Sequence, residues 1–248
     1  MSRLSKLVEK PFTKTLQWRN EKFDKKSKTV TQEKGWYYYV PSEMEGEKGS
    51  NVMVEMPFSF VWLTDVTSFT GYNELEKASI YSNEVLNDSD LKELFPRATK
   101  EQLVMYKTLK AKMGKETLAT GLYADIKDAV VSKGGKYCKP VYGLLITDEG
   151  TEIVRLLMSG GSVESWIPFS KNKGGLMNNA ISCCGSEERE KGSVQYEIPK
   201  FKFVPTDKVT INAANEATVK VFEYFKYLLT DLETTEVVEE ELVEETID

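Results

Sequence analysis

The run Gly35-Trp36-Tyr37-Tyr38-Tyr39-Val40 limits the fold more than any other stretch of the chain. Aromatic and β-branched side chains favour a strand, in which successive residues point to opposite faces. Four consecutive rings put two on each face, and a sheet buried on one side can cover only one pair. Either Trp36 and Tyr38 or Tyr37 and Tyr39 must therefore be covered by another element or left open to a ligand.

Comparable strand signals occur at Thr15 to Asn20, Val52 to Leu63, Thr67 to Tyr72 and Ser79 to Val85, with Gly46 and Gly49 marking a loop. The front half thus reads as antiparallel sheet. Residues 99–111 carry two signals: Thr99 with Gln102 resembles a capping box, whereas Leu103, Met105 and Leu109 alternate as in a strand. The strand is preferred, turning at Met113-Gly114-Lys115-Glu116 into a short arm, Thr117 to Thr120. Apolar spacing predicts a helix from Leu122 to Ser132, stopped by Gly134-Gly135.

A hairpin follows from Tyr137 to Met158 across Asp148-Glu149-Gly150, then a short helix over Ser162 to Phe169. Strands are expected at Met177 to Cys184 and Val194 to Val204, either side of a charged loop, Ser186 to Gly192. Capping candidates Asn212 and Asn215 precede a final amphipathic helix with Val221, Phe222, Phe225, Leu228, Leu229 and Leu232 on one face. The expected fold is β-rich α+β, an elaborated OB-type barrel with a few helices and a C-terminal amphipathic helix. It would occupy residues 1–230, with a basic arm over 1–34 and an acidic tail over 231–248.

Charge divides along the same boundary. Of 33 basic and 39 acidic residues, nine acids and no base fall in 231–248, which leaves the body at +3 and the tail at −9. Residues 1–34 and 97–143 each hold ten bases and four acids, so each region is +6. The chain contains no histidine, which removes Ser-His-Asp and Cys-His catalysis and the usual zinc sets. Three cysteines, with Cys183 and Cys184 adjacent, form no disulfide framework, and small buried strand residues are the simpler account of that pair. No apolar run approaches the ~18 residues of a membrane span, and Met1 to Phe12 lacks a signal-peptide core, so a cytoplasmic protein is expected.

Nucleotide-binding loops are absent: Gly114-Lys115-Glu116 and Gly135-Lys136-Tyr137 lack the flanking residues of a P-loop, and no GxGxxG occurs. Asp125-Ile126-Lys127 has the acid-x-lysine spacing of metal-dependent nucleases, with Glu116 upstream, but falls on a predicted helix rather than a strand. Asp88-Ser89-Asp90 reads as a helix-capping cluster. The stronger pattern interleaves cations with rings, as single-stranded nucleic acid requires for phosphates and unstacked bases. It comprises Trp18-Arg19, Trp36 to Tyr39 after Lys34, Tyr106-Lys107, Lys133 to Lys139 around Tyr137, Trp166 and Phe169 beside Lys171 and Lys173, and Lys200-Phe201-Lys202-Phe203. In the last set a strand sends the phenylalanines and lysines to opposite faces, so the rings suit a core equally well.

Several segments resemble single-stranded DNA-binding proteins of tailed bacteriophages, with the nearest likeness to the crAss-like phage group over roughly residues 12–230. They are Leu16-Gln17-Trp18-Arg19, Met56-Pro57-Phe58-Ser59-Phe60 running to Thr70-Gly71-Tyr72, Ile80 to Val85, Gly121 to Asp128 with Gly134 to Tyr137, and Ser165-Trp166. The resemblance implies an OB-type core, no cofactor, no catalysis, and a role in phage DNA replication or recombination in the cytoplasm of the bacterial host. It also implies that the acidic tail contacts replication or recombination proteins. The tail ends in Thr246-Ile247-Asp248 rather than in the phenylalanine common in such tails.

The expected function is sequence-tolerant binding of single-stranded DNA. Lys127, Lys133, Lys136, Lys171 and Lys173 would neutralise phosphate, with Arg19 and Lys202 beside them, and Trp18, Trp36, Tyr38 and Tyr137 would stack on bases. Glu239, Glu240, Glu241, Leu242, Val243, Glu244 and Glu245 would form the partner-binding segment. The alternatives are a virion or assembly protein and a nuclease using Asp125 and Lys127. Because the −9 tail can compete with phosphate for a cationic surface, deletion of 232–248 is expected to strengthen DNA binding at about 20 mM salt and to have little effect near 200 mM. Oligo-dT titration of both forms at the two salt concentrations measures this, and equal affinities throughout would remove the competing role.

Overall fold

The computed structural model describes residues 9–24, 26–42 and 49–244, with the backbone alone for 231–244. The strands and helices follow in chain order: β1 Lys14–Arg19, β2 Lys22–Asp24, β3 Thr29–Gln32, β4 Gly35–Val40, β5 Ser50–Val54, β6 Phe58–Asn73, β7 Ala78–Ser82, β8 Val85–Leu86, α1 Asp88–Leu94 and α2 Lys100–Tyr106. Then come β9 Leu109–Met113, β10 Glu116–Gly121, α3 Tyr123–Ser132, β11 Gly135–Thr147, β12 Gly150–Ser159, α4 Gly161–Phe169, α5 Lys173–Asn178, β13 Ala180–Lys191, β14 Val194–Val204 and α6 Lys208–Glu244.

The main ladders form one open, mixed sheet in the order β10-β9-β7-β6-β11-β12-β1-β4-β5. Among the described residues only the β1–β12 pair is parallel, and the other ladders are antiparallel. The front half therefore carries the expected sheet, but the ladders describe an open sheet rather than a closed barrel. Strand β6 pairs with β11 along one edge, while its other edge serves β13 at Phe58 to Val61 and β7 at Thr70 to Asn73. The far strands approach through side chains, with the Trp18 indole N–H donating to the Glu197 carbonyl of β14 at 3.0 Å and Lys34 pairing with Glu197 at 2.6 Å.

Three apolar cores result. The first holds Leu16, Trp18, Trp36, Phe60, Leu156 and Trp166. The second lies under α6, whose buried Ala214, Ala217, Val221, Phe225 and Leu229 recur at helical spacing against Val61, Leu63 and Tyr142. The third places Ile126 and Val130 of α3 on Phe69, Ile80 and Leu109. The helices predicted at Leu122 to Ser132 and Ser162 to Phe169 are present, as are the hairpin across Asp148-Glu149-Gly150 and the strand over Val194 to Val204.

Several expectations are corrected. Residues 100–106 are helical, because Thr99 Oγ1 accepts the Gln102 N–H at 3.2 Å while Gln102 Oε1 accepts the Thr99 N–H at 2.9 Å. This reciprocal cap satisfies two orphan donors and outweighs the alternation; the hairpin turn at Gly114 stands. The strand expected from Val52 to Leu63 is broken before Phe58, and that from Thr67 to Tyr72 is the end of β6, whose polar middle is buried. Lys173 to Asn178 form α5, capped by Asn172 Oδ1 on the Gly175 N–H at 2.9 Å, and Ser186 to Lys191 continue β13 instead of looping. Helix α6 begins at Lys208, where Asp207 Oδ1 accepts the Thr210 N–H at 2.7 Å, ahead of Asn212 and Asn215.

The backbone of α6 continues through 231 to Glu244, so the expected boundary at 230 falls within one helix. The side chains of Glu239, Glu240, Glu241, Leu242, Val243 and Glu244, and Glu245 entirely, lie outside the described residues. Cys138 and Cys183 are buried and Cys184 exposed; burial pushes the Cys138 thiol up to about 12 and raises Cys183 as well. Among the described residues no helix is long and apolar enough to cross a membrane.

Trp36 is 0% exposed and meets Trp18, Phe58 and Phe201 at ring centroids of 5.9, 6.2 and 6.4 Å. Trp36→Ala is expected to cost roughly 3–5 kcal/mol in urea unfolding, against less than about 0.5 kcal/mol for Tyr39→Ala on the exposed end of β4.

Candidate nucleic-acid interface

The aromatic residues divide sharply between inside and outside. Trp18 and Trp36, expected to stack on bases, are core residues: opposed at Trp18↔Trp36 of the β1–β4 ladder, they share the buried face of the sheet. Tyr38 follows on that face, half-buried, with Lys14 Nζ 5.2 Å from its ring centre. On the other face Tyr37 is covered, with the Arg19 guanidinium 5.7 Å from the ring and its hydroxyl donating to the Glu33 carbonyl at 2.8 Å. Of the four-ring run only Tyr39 stays well exposed, so it offers one open ring instead of a pair.

The exposed rings among the described residues are Phe23, Tyr39, Tyr72 and Tyr81. Tyr72 and Tyr81 belong to one sheet face. Residues directly opposite in an antiparallel ladder lie on the same side, and the register gives a continuous row Lys136–Thr70–Tyr81–Lys112–Thr117 across β11, β6, β7, β9 and β10. Tyr72 opposite Ser79 and Lys110 opposite Thr120 form adjoining rows. Adjacent strands lie about 4.8 Å apart, so the five-strand row spans about 19 Å.

This face is open because α3 takes the opposite one. Phe69, Ile80 and Ala111 point down into the third core, while Tyr72 and Tyr81 are 47% and 46% exposed. No carboxylate stands in these rows. None of Lys110, Lys112, Lys133 and Lys136 enters an ion pair among the described residues. Such unneutralised ammonium groups around flat rings suit a phosphate chain with unstacked bases.

Local geometry fixes the cations. A Cβ on Gly71 would lie 2.4 Å from the Gly134 carbonyl oxygen and 2.9 Å from Gly135 Cα, so the end of β6 and the turn after α3 touch backbone to backbone. Gly134 itself has φ +98°, which an L side chain rarely adopts. Asn73 Nδ2 closes the contact on the Lys133 carbonyl at 2.9 Å. Lys133 and Lys136 are thereby held at the Tyr72 end of the face. At the other end the Tyr81 hydroxyl donates to the Gly114 carbonyl at 2.9 Å, tying the ring to the β9–β10 turn.

Of the expected site residues, the face thus gathers Lys136 within it and Lys133 at its rim. Tyr137 points away, edge-on to Tyr123 at 5.3 Å, and Tyr123 stacks on Phe69; burial raises the Tyr123 hydroxyl. Lys127 lies exposed on α3, on the far side of the sheet. Lys171 and Lys173 flank the start of α5, and Lys202 is exposed on β14, whose Phe201 and Phe203 pack into the first core. Asp125 and Lys127 are both exposed on the helix, and no group of three or more Asp, Glu or Cys able to hold a metal occurs among the described residues.

Tyr72, Tyr81, Lys110 and Lys112 escape the sequence reading. The period-two alternation of Lys110 and Lys112 with buried Leu109 and Ala111 was the available signal, but the ladder register that unites them across five strands is not written in any local pattern. No family model, no curated protein and no solved structure matches this chain.

Proposed function

We propose that the protein binds single-stranded DNA without strong sequence preference and without catalysis, in phage replication or recombination in the bacterial host cytoplasm. The observation that carries this reading is the open face in which Tyr72 and Tyr81 stand among Lys110, Lys112, Lys133 and Lys136, with no carboxylate in its rows. Aromatic faces accept any base, and lysines that make no ion pair accept phosphate wherever the chain runs, so the arrangement favours affinity over base discrimination. An open sheet face carrying exposed rings also suits an unpaired strand better than a duplex, whose bases are stacked away from it. The strand set that buries Trp36 and Trp166, with its parallel β1–β12 pair, is the part of the open sheet that we read as an OB-type core elaborated by further strands. The acidic segment after 230 would compete for the lysines and recruit replication or recombination proteins.

The second reading, an assembly protein, draws on β5, an edge strand with Val52 and Met53 exposed beside Tyr39. The two readings separate on nucleic acid. Polarisation of labelled oligo-dT should fall with salt at a log–log slope of about −3 to −4 for four to six neutralised phosphates. A flat salt response, or tighter binding to duplex, would favour assembly. Lys112→Ala and Lys136→Ala should each make the slope shallower by about 0.7.

The rings contribute a salt-independent part. Tyr81→Ala and Tyr72→Ala are each expected to weaken oligo-dT binding by about 1–3 kcal/mol with the slope unchanged, and Phe at either position should restore most of the loss. Wild-type affinity in both alanine variants would show that the bases lie elsewhere.

A further inference from the structure

Past Arg19 the chain leaves the main sheet and folds back on itself as β2 and β3, which among the described residues pair only with each other. Phe23 stands opposite Val30 in that ladder, and the two are 55% and 48% exposed. Neither joins any of the three cores. A two-stranded ribbon with nothing packed behind it gains little from its own burial, and an apolar pair left open on it marks a contact surface.

The charge around this pair is cationic. Lys22, Lys26 and Lys28 are exposed and enter no ion pair among the described residues. Asp24, the acid within this stretch, accepts the Lys26 backbone N–H at 2.8 Å and so closes the turn; Glu21 and Glu33 precede and follow the ribbon.

The ribbon leaves the sheet at the end that holds Lys133 and Lys136. Strand β1 is parallel to β12 and β12 antiparallel to β11, so the chain beyond Arg19 heads the way β11 runs back from Cys138 to Gly135. Register also carries one face across: Lys136 and Cys138 share it on β11, Ser159 and Leu157 on β12 through Cys138↔Ser159, and Gln17 and Arg19 on β1 through Leu157↔Gln17. Two strand spacings and two residues then separate Arg19 from Lys136, about 12 Å. Arg19 makes no ion pair among the described residues, so cations continue from the Lys136 row through Arg19 to the ribbon.

We infer that the β2–β3 ribbon is a second contact for the same single strand, separate from the Tyr72 and Tyr81 face, in which Lys22, Lys26 and Lys28 take phosphates and the Phe23 ring takes a base. The inference rests on the single-stranded DNA reading above. Charge selects the occupant: an apolar protein surface would desolvate three ammonium groups without compensation, whereas a phosphate chain meets each of them beside a ring that accepts any base.

Strand length separates the two contacts. On oligo-dT of about 20 nucleotides, Phe23→Ala should weaken binding about five- to a hundredfold, and Phe23→Tyr should restore most of the loss. Lys26→Ala combined with Lys28→Ala should make the salt slope shallower by about 1.4. Oligo-dT of about six nucleotides, enough for the first face alone, should lose affinity in Tyr81→Ala and keep it in Phe23→Ala. The added indole of Phe23→Trp should be quenched by the longer strand, against a background in which Trp18, Trp36 and Trp166 lie in the first core. Wild-type affinity of Phe23→Ala for the longer strand, or an unquenched Phe23→Trp, would overturn the inference alone if Tyr81→Ala still weakens binding. Failure of the wild type to bind oligo-dT at all would overturn both it and the reading beneath it. Loss of self-association as the sole effect of Phe23→Ala in sedimentation would also overturn it, by assigning the ribbon to a second copy.

Discussion

The structure depends on burying a charge in the middle of its longest strand. Strand β6 contributes Phe58 and Phe60 to the first core, Val61, Leu63 and Val66 to the second and Phe69 to the third. Within the second set, between Leu63 and Val66, lie Thr64 and Asp65, both almost fully buried. A lone carboxylate there would cost several kcal/mol, so the strand can continue only if the charge is met. Lys139 of β11 meets it, and Thr64 hands its hydroxyl to Asp90 at the start of α1. One polar cluster thus joins β6 to β11 and α1 and allows a single strand to serve three cores.

That continuity was the least legible part of the fold. Thr64 and Asp65 look like an interruption between two apolar runs, and nothing near them in sequence shows that Lys139 lies across the ladder. Elements whose signals are local were readable: α3, α4, the β11–β12 hairpin and the buried Val221, Phe225 and Leu229 of α6 follow from spacing and turn chemistry, whereas Leu228 of the same predicted face is exposed and the Leu232 side chain lies outside the described residues. Where two local signals competed, at 99–111, the reciprocal cap prevailed because it satisfies backbone donors directly, whereas alternation stabilises nothing until a partner strand arrives.

The site was legible in kind but not in place. The +6 region over 97–143 contains Lys110, Lys112, Lys133 and Lys136, so charge counting fell on the segment that supplies the cations of the open face. The aromatic reading pointed to rings that are buried, because the largest side chains in a strand-rich chain are also its best core material. Trp18, Trp36 and Trp166 yield more by packing together than by facing solvent. The smaller, hydroxyl-bearing rings remain outside, where Tyr72 and Tyr81 can be wetted at one end.

The contact of Gly71 with Gly134 and Gly135 carries a consequence for how such a surface can change over time. The lysines and tyrosines of the face are interchangeable within limits, since arginine can replace lysine and phenylalanine can replace tyrosine at modest loss. The glycines beneath them have no such latitude, because any side chain would part the two backbones and carry the cations away from the rings. Positions with no chemistry of their own are therefore the least replaceable in the region, and inherited variation should accumulate on the functional groups sooner than on the bare backbone that spaces them.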